Sequence, residues 1–151
     1  MHGYAVGARR FCCAMALGVV AVVLLAPCCG RGLAAGSGTE MHVYTDEQAA
    51  RGERVYERYC TSCHGGRLQG NPAAPLAGEA FLSRWADGQH TLDDLLYIIR
   101  TLMPYNAPAS LTRQQYADVL AYVLKANGYP PGEAELVPSA PALKGSTLQP
   151  R

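Results

Sequence analysis

Apolar residues recur at helical spacing in three stretches of the chain, and no stretch shows a convincing strand alternation. The first stretch predicts a helix from about Asp46 to Tyr59. Thr45 is its expected N-cap, and Gln48 three residues later is placed to complete a capping box. Gly52 lies on the apolar face of this helix, where its lack of a side chain would let another helix come close.

Two further stretches repeat the pattern of a threonine cap followed by apolar residues. Thr91 precedes a short apolar helix that is expected to span 92 to about 100 or 101. Thr112 precedes a last helix, about Arg113 to Asn127, which Gly128 should end. In both cases an acid or amide three residues after the threonine predicts a capping box.

Glycine and proline interrupt the helical pattern in two places. The segment 65–78 contains four glycines and two prolines, and it predicts a loop. A second loop, 103–110, holds Pro104 and Pro108 between two good helices. The chain is therefore expected to be all-α.

The N-terminal part of the chain has the pattern of a targeting signal. Arg9 and Arg10 precede an apolar stretch over 11–26, and a run of small residues follows. We expect a signal peptide over 1–35 and export to the periplasm. The stretch is short for a membrane span, which needs about 20 apolar residues, but an uncleaved signal anchor stays an alternative. Only such an anchor would tie the protein to a membrane.

The remaining chain divides by composition into a polar lead-in over 36–45, a domain over 46–136 and a tail over 137–151. Proline and small residues in the tail predict an extended segment that either lies along the domain or stays disordered. After export, just under 120 residues would remain, which suits one domain.

Charge excludes one class of partner. The full chain has 13 Lys and Arg against 12 Asp and Glu, and loss of 1–35 removes three arginines and no acid, which changes the net charge from +1 to −2. A mildly acidic chain with no basic tract does not suit nucleic acid.

Cys60, Cys63 and His64 form a Cys-x-x-Cys-His run, the spacing for covalent haem attachment through two thioethers with a proximal imidazole. A thioredoxin-type Cys-x-x-Cys does not need the histidine and belongs to a strand-helix context that is missing here. A structural zinc site needs a second ligand pair, and the other four cysteines all lie in or beside the N-terminal apolar segment. The run therefore predicts one covalent haem c with His64 as iron ligand.

Met103 begins the second loop and has two interpretations. Methionine is most often a flexible core side chain. With a haem motif upstream, however, it is also the expected second axial ligand, because His/Met ligation is a standard arrangement for c-type cytochromes.

These features together make the chain similar to a single-haem class I cytochrome c domain over about 46–132. The residues that carry the resemblance are Cys60, Cys63, His64, Gly65, Pro75, Leu76, Gly78, Phe81, Trp85, Met103, Pro104, Tyr116, Ala121 and Tyr122. The stretch 127–138 further resembles small periplasmic cytochromes that accompany quinoprotein dehydrogenases. The resemblance implies a cytochrome c fold of about three to five helices around the haem.

The resemblance also implies further haem contacts. A proline carbonyl in the loop after the motif accepts a hydrogen bond from the proximal imidazole in this family; Pro75 is the expected residue and Pro72 the fallback. Leu76 would line the haem, and Trp85 resembles a tryptophan that binds a propionate, with core packing as the alternative. Asn106 resembles a residue near the axial sulfur, although a turn role between two prolines fits it as well.

Other family features concern packing and exposure. Gly52, Tyr56 and Tyr122 resemble the contact at which the first and last helices cross. His42 and His90 lie in polar surroundings and are expected to be exposed residues without a role at the iron.

If His64 and Met103 both bind the iron, the protein is expected to be an electron carrier and not an enzyme. Its partners would be redox proteins, such as an upstream dehydrogenase and a downstream oxidase or other cytochrome. A dedicated subunit of a quinoprotein dehydrogenase or other periplasmic oxidoreductase is one alternative. A ligand-sensing or catalytic haem protein is a second, and it requires that Met103 does not bind.

Overall fold

The computed structural model describes residues 41–139 and 141–150, and the expected signal peptide lies outside them. Within these ranges there are six helices: α1 (Asp46–Tyr59), α2 (Thr61–His64), α3 (Glu79–Trp85), α4 (Leu92–Leu102), α5 (Arg113–Ala126) and α6 (Ala142–Gly145). The described residues form no strand, only one isolated antiparallel bridge between Thr91 and Thr147. The predicted all-α class is confirmed. None of the helices in these ranges has the length and apolar character needed to cross a membrane.

The three threonine caps are confirmed, and two of them form full capping boxes. The Thr91 and Thr112 side chains each accept a hydrogen bond from a backbone N–H three residues on, and that residue's side chain bonds back. Thr45 accepts from the Gln48 backbone N–H at 3.1 Å, but the Gln48 side chain does not return the bond. Instead its buried amide donates to the Leu136 carbonyl at 2.9 Å and accepts from the Leu136 N–H at 2.7 Å. The predicted capping box at Thr45 is therefore wrong, because a distant backbone partner takes the amide.

The first and last long helices, α1 and α5, cross at Gly52, as expected. A Cβ atom at this position would lie 1.8 Å from the Asp118 carbonyl oxygen, so only glycine allows the two backbones to come this close. Beside the crossing, the rings of Tyr56 and Tyr122 pack with their centroids 5.4 Å apart. This contact fixes how α5 lies on the helix that leads into the Cys-x-x-Cys-His run.

Gly52→Ala is expected to lower the free energy of unfolding by about 3 kcal/mol or more, because the new methyl group forces the two helix backbones apart. Urea denaturation of the purified protein measures the change. Gly145→Ala is the matched control, since a Cβ atom there would have no atom within 4 Å. Equal stability of the two variants would contradict the close crossing.

Polar groups join α5 to α1 and to the segment after it. Arg51 donates two hydrogen bonds to the buried carboxylate of Asp118, each at 3.1 Å, and a third to Glu135 at 2.8 Å. Gln114 also donates to Asp118, at 2.8 Å. The buried carboxylate thus has charged and neutral donors, which offset the cost of its burial.

The C-terminal segment packs on the domain, one of the two arrangements left open by the sequence. Leu143 in α6 and Leu148 after it are both buried. The Leu92 N–H, at the start of α4, donates to the Ser146 carbonyl at 2.8 Å. The segment therefore holds the N-terminal end of the helix that leads to Met103.

Candidate functional site

A single turn of helix, α2, brings the three residues of the haem motif to one side of the chain. Cys60 caps this turn, and its carbonyl accepts hydrogen bonds from the Cys63 N–H at 3.1 Å and the His64 N–H at 2.9 Å. Positions three and four residues apart lie on the same face of a helix. Neither cysteine forms a disulfide; Cys60 is half-buried and Cys63 is exposed.

The environment of Cys60 keeps its thiol neutral. Burial, and secondly the charge of Cys63, raise the pKa of the Cys60 thiol to about 11. A thiol with this pKa stays protonated at neutral pH. The described residues also contain no group of three or more His, Cys, Asp or Glu side chains that could hold a metal ion.

The imidazole of His64 is oriented by a backbone carbonyl. Its Nδ1 lies 2.8 Å from the Ala74 carbonyl oxygen. A carbonyl only accepts, so Nδ1 carries the proton and the lone pair of Nε2 is available to a metal. The acceptor is Ala74, so the predicted acceptors Pro75 and Pro72 are wrong. The predicted hydrogen bond from the imidazole to a carbonyl of this loop is present.

Turns in the 65–78 loop place Ala74 at the ring. The Ala73 N–H donates to the Cys63 carbonyl at 2.9 Å, which folds the loop back onto the motif. Pro75 disfavours a helical backbone at Ala74, the residue that carries the acceptor. The proline thus acts on the residue before it, while its own carbonyl is not the acceptor.

The same loop is held from the other side by Asn127, the C-cap of α5. Its Nδ2 donates to the Leu76 carbonyl at 2.9 Å, and its Oδ1 accepts from the Gly78 N–H at 3.0 Å. The sequence pattern predicts Asn127 only as the end of a helix. The one available signal was an amide beside Gly128, and that pattern is equally typical of an ordinary helix end.

Met103 is the C-cap of α4 and is half-buried. Its carbonyl accepts hydrogen bonds from the Tyr116 hydroxyl at 2.8 Å and from the Ala109 N–H at 3.3 Å. Asn106 lies exposed in the loop that follows, which agrees with the turn interpretation.

Trp85 ends α3 and belongs to the buried core. Its ring packs at 6.4 Å from Phe81 and at 5.2 Å from His90, measured between centroids. These contacts favour the packing role that the sequence left open. No acceptor among the described residues bonds the indole N–H, so a propionate bond stays a prediction.

The two remaining histidines among the described residues each lie within hydrogen-bond distance of an oxygen atom. His42 lies 2.8 Å from the Pro131 carbonyl oxygen, and His90 lies 2.8 Å from an Asp87 carboxylate oxygen. Both are exposed, as expected. Hydrogen bonds from the backbone of His90 and of Gln89 lower the pKa of Asp87 to about 2, so it is ionised at neutral pH.

The residues present fit a haem. Two thiols that can form thioethers and an imidazole with an available Nε2 are the groups that covalent haem attachment requires, and a thioether such as that of Met103 is a common further iron ligand. The segments that carry these groups also leave apolar side chains only partly covered: Leu76 and Ile99 are half-buried, and Leu102 is 54% exposed. A porphyrin is an apolar surface that such side chains could pack against.

Comparisons with known proteins give one family match. A family model described as cytochrome c oxidase, cbb3-type, subunit III matches residues 47–123, just over half of the 151 residues. No curated protein matches the chain. Among solved structures, a chain of the sulfane dehydrogenase SoxCD from Paracoccus pantotrophus is similar at 18% identity and a TM-score of 0.45, over 66% of this chain and 62% of that chain. This chain thus spans less than two thirds of the SoxCD chain.

Proposed function

This chain belongs to the cytochrome c family matched over residues 47–123, and we propose that it carries single electrons between redox proteins. In this proposal Cys60 and Cys63 hold one haem covalently, and His64 and Met103 are its axial ligands. The family membership supports haem binding and electron transfer in general. The ligands, the covalent bonds and the number of haems are the finer part of the proposal.

One observation carries the proposal. The helical turn α2 presents both thiols and an imidazole whose Nδ1 is held at 2.8 Å by the Ala74 carbonyl. This bond fixes the tautomer and the ring orientation of His64 and makes Nε2 more basic. A haem bound here supplies a one-electron ferrous/ferric couple.

The role of Met103 decides between carrier and catalyst. A thioether ligand fills the sixth coordination position, so oxygen, peroxide or a substrate would have no site at the metal. It also favours the ferrous state and a relatively positive potential. We therefore propose an electron carrier and not an enzyme.

Location and partners are part of the same proposal. The basic pair Arg9 and Arg10 before the apolar stretch 11–26 supports export to the periplasm, with an uncleaved anchor as the alternative. Redox proteins would meet this domain in transient interfaces that bury less than about 1,200 Å². The net charge of −2 calculated after loss of 1–35 does not suit nucleic acid as a partner.

Haem staining after denaturing electrophoresis tests the covalent bond. Protein made with its signal in a host that matures c-type cytochromes is expected to give one stained band in the periplasmic fraction. The Cys60→Ala, Cys63→Ala double variant should lose all stain, because both thioether positions are gone. Ser62→Ala, between the two cysteines, is the control and should stain like the wild type. An unstained wild type, or a stained double variant, would refute the proposal.

A further inference from the structure

Few backbone hydrogen bonds hold the loop 103–110 in place. Residues 105–110 are all exposed. Two backbone hydrogen bonds lie within the loop: the Ala107 N–H donates to the Pro104 carbonyl, and the Ala109 N–H donates to the Met103 carbonyl. Methionine itself is unbranched and flexible. The position of its sulfur therefore depends strongly on where the backbone of Met103 is anchored.

One hydroxyl group anchors both ends of this loop. Tyr116 lies in the first turns of α5 and is 4% exposed. Its hydroxyl donates to the Met103 carbonyl at 2.8 Å and accepts from the Leu111 N–H at 3.1 Å. A single oxygen atom thus ties the beginning and the end of the loop to the helix that packs on α1.

We infer that Tyr116 is a positioning residue that holds Met103 at the iron. The inference rests on the proposed function, in which Met103 is the sixth ligand. The buried ring fixes the oxygen, the oxygen fixes the carbonyl of Met103, and the side chain then extends from a fixed backbone. Without the hydroxyl, the loop is free to move and Met103 should leave the iron more often.

Tyr116→Phe tests this, because it keeps the buried ring and removes only the oxygen. The control is Tyr122→Phe, the same change on the same helix at a tyrosine whose hydroxyl has no hydrogen-bond partner among the described residues. The rate at which cyanide binds the ferric holoprotein measures how often the sixth position opens. We expect Tyr116→Phe to bind cyanide roughly tenfold faster, since two hydrogen bonds are lost, and Tyr122→Phe to match the wild type.

Two further readouts separate positioning from general stability. The far-red band of sulfur ligation should weaken in Tyr116→Phe only. A merely structural role would lower the free energy of unfolding without accelerating cyanide binding or weakening the band. That result would overturn the inference and leave the proposed ligation intact, whereas a wild type without the band would overturn both.

A measurement on the wild type covers the case in which Tyr116→Phe does not fold. If the hydroxyl couples Met103 to Leu111, displacement of Met103 by cyanide should speed hydrogen exchange of the Leu111 amide, because coupling acts in both directions. The Gly78 amide, bonded to Asn127, should not change. Unchanged exchange at Leu111 would overturn the inference.

Discussion

Met103→Ala is expected to turn a protein that resists external ligands into one that binds carbon monoxide and cyanide readily. The wild-type ferric protein should be low-spin and show the weak far-red band of sulfur ligation, and the variant should lose that band. Its midpoint potential should fall by a sizeable part of the roughly 0.8 V range that axial ligands span, since a soft ligand that favours ferrous iron is lost. Absorption spectra and potentiometric titration measure both effects.

Met41→Ala is the control for this experiment. Met41 is the other methionine of the described residues; it lies before α1 and is half-buried. Its replacement should leave the spectrum, the potential and ligand binding unchanged. If the wild type binds carbon monoxide rapidly and Met103→Ala changes neither spectrum nor potential, the electron-carrier proposal fails. A ligand-binding haem protein would then be the better description.

The haem-free chain is expected to be largely unfolded. Tyr56 in α1 and Leu120 in α5 are fully buried, but α4 leaves Ile99 half-buried and Leu102 54% exposed. The loop over 65–78 has only two large apolar side chains, Leu68 and Leu76. The domain therefore needs an additional apolar surface, and a ligand that binds only the folded state shifts the equilibrium toward it.

Circular dichroism of the Cys60→Ala, Cys63→Ala variant without haem measures this dependence. Most of the helical signal of the holoprotein should be missing, together with its cooperative thermal transition. The Ser62→Ala holoprotein serves as the folded reference. A haem-free chain that melts cooperatively with the full helical signal would contradict the expectation.

Local signals were sufficient to predict the three long helices α1, α4 and α5, but not the single turn α2 that holds the haem motif. Thr91 and Thr112 begin helices because a cap and its partner lie three residues apart and need no other part of the chain. The short helix α3 was not predicted, because Gly78 at its N-terminus provides no side-chain cap and the helix contains only seven residues. The thiols and the imidazole were predictable because the haem motif lies within five consecutive residues.

Contacts between distant residues were not predictable in this way. The bond from His64 goes to Ala74 and not to Pro75, because turns within the loop decide which carbonyl faces the ring. Tyr116 and Asn127 bond backbone groups 13 and 51 residues away, at Met103 and Leu76. No sequence pattern at either position indicates these bonds.

These two bonds have a consequence for how relatives of this chain can diverge in length. Tyr116 and Asn127 belong to opposite ends of one helix and hold the two loops that follow the proposed ligand His64 and begin at the proposed ligand Met103. An insertion of one residue between them would rotate one side chain relative to the other by about 100°. The loops 65–78 and 103–110 have no such constraint along their exposed parts. Insertions and deletions are therefore expected to accumulate in the loops, while the span of twelve residues from Tyr116 to Asn127 keeps its length.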